Sequence, residues 1–128
     1  MLVSLMGILA NNKHNEYPQR IFEIGKIFKG LNEINYLCYL SSHAEANFTE
    51  AKQVLSALMN ALNLNVKLIE KEDKRFISGR CASVLVENSN IGIIGEIHPE
   101  FLEKFELEMP VCSFEIDVDK IFIILNKR

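Results

Sequence analysis

Residues 81–97, CASVLVENSNIGIIGEI, set two apolar runs on either side of the polar turn Glu87-Asn88-Ser89-Asn90. Two strands around an Asn/Ser turn make a β-hairpin. A lone hairpin is marginal in water, so this one must extend into a wider sheet with something packed on it. The rest of the chain supplies candidates. From Gln19 to Phe28, Arg20, Phe22, Ile24 and Lys26 face one way, and Ile21, Glu23, Gly25 and Ile27 the other. Neither face is wholly polar, which predicts an inner strand covered on both sides. Lys29-Gly30-Leu31-Asn32 supplies turn residues, and Glu33 to Ser41 returns as a second strand. Asn65 to Lys71 and Val111 to Val118 read as further strands, and the charged stretch EKEDKR as a solvated edge or loop.

Helices come between the strands. Leu2, Leu5, Met6, Ile8 and Leu9 form a helix too apolar to stand in water, which must pack on a sheet or on another chain. Phe48 to about Asn63 places Ala51, Val54, Leu55, Leu58, Ala61 and Leu62 on one stripe. Asn47 and Glu50 are spaced as a capping box at its start. Pro99 suits the first position of a short helix with Phe101, Leu102 and Phe105 inward. Beyond Val118 the sequence IFIIL runs out in a basic end. This order predicts an α+β domain: an antiparallel or mixed sheet of about six strands with helices on one side.

The 128 residues suffice for one domain with its own core. A formal charge of −3, with basic residues spread among acidic ones, supplies no field for direct nucleic-acid binding. Cys38, Cys81 and Cys112 are widely spaced and never form a C-x-x-C pair. They read as small buried hydrophobes in a reducing compartment rather than disulfide or zinc ligands. No stretch approaches the roughly twenty apolar residues of a membrane span. The opening MLVSLMGILA lacks the flanks of a signal peptide.

Gly92-Ile93-Ile94-Gly95-Glu96-Ile97-His98-Pro99 holds the strongest candidates for chemistry. Two glycines three apart inside a strand, with no third glycine and no Gly-Lys-Ser/Thr, do not make a phosphate cradle; they permit a bulge or close packing. His98 beside Glu96 could pair for acid/base work, but no third group orients the imidazole, so a helix N-cap role is favoured. His14, His43 and His98 have no metal-ligand spacing. Glu23 and Glu115 sit in the repeated triplet Phe-Glu-Ile. Surface exposure is the default for both, and a buried pair with Arg20 or Arg80 is the sharper alternative.

Several stretches in order carry a resemblance: Leu5-Met6-Gly7-Ile8-Leu9, Pro18-Gln19-Arg20-Ile21-Phe22-Glu23-Ile24-Gly25, Gly79-Arg80, Gly92 through Glu100, and Pro110-Val111 with Phe114-Glu115-Ile116-Asp117. Together they resemble the C-terminal part of the beta subunit of phenylalanyl-tRNA synthetase of the archaeal and eukaryotic type. The resemblance implies that residues 1–128 are one catalytic-like domain, similar to a class II synthetase core but without catalytic residues, and a piece of a longer beta chain. A short natural paralogue is the other origin left open. It implies a cytoplasmic structural role, packing on the catalytic alpha subunit in a heterotetramer, with tRNA(Phe) reached only through the whole complex. ATP and Mg²⁺ would serve the whole enzyme, with no cofactor in this domain. Of the four arginines, Arg20, Arg75, Arg80 and Arg128, none lies in a glycine-rich setting before a helix. Arg20, Glu23, Gly25, Arg80, Gly95, Glu96, His98, Pro99 and Glu115 are then structural motif candidates. A standalone small-ligand-binding or regulatory domain is the alternative, and would use Arg80, Glu96 and Glu115 in one pocket.

Overall fold

The computed structural model describes residues 1–127. The elements in order are α1 (Leu2–Asn11), β1 (Gln19–Lys29), β2 (Asn32–Ser42), α2 (Phe48–Ala61), β3 (Val66–Glu70), β4 (Phe76–Val86), β5 (Ser89–Ile97), α3 (Pro99–Glu103), β6 (Val111–Asp117) and α4 (Val118–Asn126). The strands join one six-stranded sheet in the order β1-β2-β6-β5-β4-β3. Every pairing is antiparallel, which settles the choice between an antiparallel and a mixed sheet.

Helices cover both faces of the sheet, not one. The reason lies in β6, where all seven residues are buried, so apolar side chains leave the central strands in both directions. On one side Tyr39, Val84, Ile94, Phe114 and Ile116 pack with Ala51, Leu55 and Met59 of α2 and with Ile121 and Ile124 of α4. On the other, Cys38, Leu40, Phe76 and Ile93 pack with Leu2, Leu5, Met6 and Leu9 of α1 and Leu102 of α3. Each fully buried aliphatic side chain contributes about 1.5–3 kcal/mol. That anchors α1, which has no side-chain cap of its own.

Three further expectations are corrected. The inner strand expected at residues 19–28 is β1, at the edge of the sheet, and Phe22, Ile24 and Phe28 on one of its faces are exposed. Residues 118–126 do not trail off, and Arg128 lies outside the described residues. Asp117 accepts a hydrogen bond from the Lys120 amide at 3.0 Å and starts α4, with Ile121 and Ile124 turned inward. At α2, Asn47 Oδ1 accepts from the Glu50 amide at 2.9 Å as a cap should, but the Glu50 carboxylate turns to the sheet instead of back to Asn47.

Gly92 and Gly95 are there for close packing. A β-carbon on Gly92 would lie 1.9 Å from the Glu115 carbonyl oxygen, and one on Gly95 2.7 Å from Phe76 Cδ1 and 2.8 Å from the Arg80 carbonyl oxygen. The β4–β5 register shifts between Phe76 and Cys81, opposite this stretch, as a bulge requires.

Candidate functional site

Three carboxylates, Glu96 and Glu115 in the sheet and Glu50 on α2, organise the polar side chains. Glu96 on β5 is buried; its Oε2 accepts from Arg80 Nη1 at 3.0 Å, and its Oε1 from the Phe48 amide at 3.2 Å. This ties the neighbouring strands β4 and β5 to the first turn of α2. His98 caps α3 as the sequence suggests: Nδ1 accepts from the Glu100 amide at 3.1 Å, and Pro99 takes the first helical position.

Glu115 departs from its expected exposure. It is buried in β6, accepts from the Leu2 amide at 2.8 Å, and stands 3.6 Å from Arg75 Nη1. The partner is Arg75, not Arg20 or Arg80, and Arg75 is itself clamped by Asp73 at 3.1 and 3.2 Å. Burial works against the charge of Arg75, but the Asp73 hydrogen bonds and the Glu115 charge raise its pKa. Glu23 lies half-buried beside Cys38, and its Oε2 has no hydrogen-bond partner among the described residues. A β-carbon on Gly25 would meet only the flexible end of Met1, at 2.8 Å.

The third carboxylate, Glu50, gathers a cluster with no signal in the sequence. Tyr39 Oη donates to it at 3.3 Å, Arg20 Nη2 lies 3.8 Å away, Cys112 Sγ donates at 3.7 Å, and His43 Nε2 contacts it directly. Because His43 Nδ1 accepts from the Glu45 amide at 3.2 Å, a neutral ring carries its proton on Nε2, facing Glu50. A Cys–His–Glu grouping suggests a nucleophile, but the chemistry is wrong for one. Burial, then the Glu50 charge, pushes the Cys112 thiol up to about 12. The reactive form of cysteine is the thiolate, and here it is suppressed. Among the described residues no group of His, Cys, Asp and Glu is arranged to hold a metal ion.

Arg80 and Glu96 line one cavity of about 430 Å³ together with Pro99, Leu102 and Val111. Glu115 lines a different one, so the three residues proposed for a single ligand pocket are divided between two. An apolar row is also left open among the described residues. Phe22, Ile24 and Phe28 are 58%, 70% and 70% exposed, on the face where α2 and α4 cover the inner strands but leave β1 open. Phe122 and Ile123 on the outer side of α4 are exposed as well.

The structure thus defines an α+β domain whose buried carboxylates bind its own elements together and whose edge strand presents an apolar row. A profile of the phenylalanyl tRNA synthetase beta chain CLM domain matches residues 1–118, and the chain belongs to that family. Similar proteins include the phenylalanine--tRNA ligase beta subunits of Archaeoglobus fulgidus (40% identical over 122 residues, 95% of this chain) and Pyrococcus abyssi (44% over 124 residues, 91% of this chain). The beta subunit of Methanococcoides burtonii is 39% identical over 118 residues, 92% of this chain. The chain spans 22% of the length of each of these relatives.

Proposed function

We propose that the chain acts as a noncatalytic structural and assembly module of a phenylalanine–tRNA ligase beta subunit. It packs on the alpha subunit within a heterotetramer that charges tRNA(Phe) with phenylalanine using ATP. The sheet is then a catalytic-like relative of a class II synthetase core that keeps the shape without the chemistry. ATP and Mg²⁺ serve the aminoacylation chemistry of the alpha subunit, this domain holds no cofactor for that chemistry, and tRNA meets it only through the whole cytoplasmic complex.

The observation that carries this reading is the row Phe22, Ile24 and Phe28, three large apolar side chains left in water on an edge strand. Exposed contiguous apolar surface marks an interaction site, and an open strand edge is a further template for pairing. In support, Glu96, Glu115 and Glu50 are committed to contacts within the chain.

Sedimentation velocity with purified alpha subunit tests it. The chain should form a complex, and Phe22→Asp with Ile24→Asp should weaken it by more than about a hundredfold, since each apolar side chain buried at an interface is worth about 1.5–3 kcal/mol. Both positions are exposed, so the melting temperature of the free variant should stay put. Absence of a complex, or equal affinity in the variant, refutes the assignment.

A further inference from the structure

The face of the sheet that carries α1 also holds a second cavity, of about 390 Å³. Its floor comes from four neighbouring strands: Ile27 of β1, Tyr36 of β2, Glu115 of β6 and Ile93 of β5. Its walls carry Lys29 from the end of β1, Lys71 and Arg75 from the segment between β3 and β4, and Lys120 from the first turn of α4. Three separate parts of the chain thus deliver four cations to one bowl, in a protein whose formal charge is −3.

Arg75 is held by Asp73 and Glu115, but the three lysines are poorly compensated. Lys29 Nζ donates to the neutral Tyr36 hydroxyl at 3.0 Å, and Lys120 Nζ to the Asn90 carbonyl at 2.9 Å. Among the described residues, Lys29, Lys71 and Lys120 take part in no salt bridge. Glu115 is the one carboxylate in the lining, and its Oε1 already takes the Leu2 amide and Arg75. Asp117 is the other acid whose charge reaches Lys29, and it is occupied in capping α4. Like charges gathered in a concave site with low-dielectric walls focus a field on its interior. The volume lies within the range of small-molecule sites, about 300–1,000 Å³.

We propose that this bowl binds a small phosphorylated ligand of nucleotide size. Its phosphate oxygens accept from Lys29, Lys71, Lys120 and Arg75, and a hydroxyl or amino group at its other end donates to the Glu115 carboxylate on the floor. The site is separate from the apolar row on β1, which lies on the opposite face, so failure of either proposal leaves the other standing.

Isothermal titration calorimetry of the intact chain with inorganic pyrophosphate, ATP and adenosine decides the matter. Pyrophosphate and ATP should each bind once per chain, more weakly as salt is added, and adenosine should give no heat. Lys71→Glu should weaken both by about tenfold or more, as loss of a charge-assisted contact does. Lys120→Gln, a milder change, should act in the same direction. Lys52→Glu, on the exposed side of α2, should stay within about twofold. Silence with both phosphates, adenosine binding as well as ATP, or an equal loss in Lys52→Glu overturns the proposal.

Discussion

Replacing Gly92 by alanine tests the close packing of β5 against β6 directly. The added β-carbon would sit 1.9 Å from the Glu115 carbonyl oxygen and 2.9 Å from both the Glu115 carbonyl carbon and Ile116 Cα. An ordinary contact begins at 3.4 Å, so backbone must retreat by 3.4 − 1.9 = 1.5 Å. No side chain can turn aside to make the room, because every atom in the way is main chain. Overpacking costs about 1–3 kcal/mol, and opening the central ladder removes one or two hydrogen bonds at about 1 kcal/mol each. The sum is about 2–5 kcal/mol, set against the few tenths to 1 kcal/mol that alanine gains over glycine by restricting the unfolded chain. A net loss near 3 kcal/mol shifts the melting temperature of a domain this size by about 10 °C. Gly7, on α1, has nothing within 4 Å of its would-be β-carbon, so Gly7→Ala should raise stability by about 0.5–1 kcal/mol. Thermal melts followed by circular dichroism compare the two. A Gly92→Ala protein melting within about 2 °C of the parent would refute the reasoning.

The ionic anchors give further expectations. Glu96→Ala strands the Phe48 amide and should cost about 1–3 kcal/mol in urea titrations, whereas Arg80→Ala, at a side chain 60% exposed, should cost under about 1 kcal/mol. Equal losses would show that the anchor is the ion pair alone. At Glu50, burial pushes the carboxyl pKa up, but the Ser41 hydroxyl, His43 and Arg20 outweigh it and hold the group below its ordinary 4.5. A depressed folded pKa gives stability that is complete above the unfolded value and lost as pH falls through the folded one. The stability gap between parent and Glu50→Gln should therefore be steady above about pH 5 and close below about 4.5; a gap unchanged in acid refutes this. Burial raises Cys38 and Cys112 to about 12 and Cys81 to about 11, so iodoacetamide near neutral pH should label none of the three until denaturant is added. Rapid labelling of the folded chain would contradict the buried thiols.

Most of the sheet could be read in the sequence because its strands are apolar or alternating runs set off by turn residues, as in Cys81–Val86 and Ile91–Ile97 around Glu87-Asn88-Ser89-Asn90. The Pro99 helix start and the His98 cap were equally legible, being local. What was missed is non-local or ambiguous. The run Ile121–Leu125 suits strand or helix alike, and only Asp117, read as a cap with Asp119 in the first turn, would have pointed to α4. Strand β1 looked covered because its apolar residues alternate as in an inner strand, and no single-chain pattern distinguishes a side chain buried in its own fold from one left for another surface. Glu115 and Arg75 are forty residues apart, with Arg75 inside a stretch that composition assigns to a loop. The Glu50 cluster joins β1, β2, α2 and β6, so no sequence window contains it.

Strand β6 passes into α4 at Asp117 with no loop between them, the same carboxylate ending one element and opening the next. The junction leaves no hinge, so α4 is a lever rooted in the middle of the sheet. The outward Phe122 and Ile123 therefore stand on the same short helix whose Ile121 and Ile124 pack with Phe114 and Ile116, one turn of backbone from the middle of the sheet.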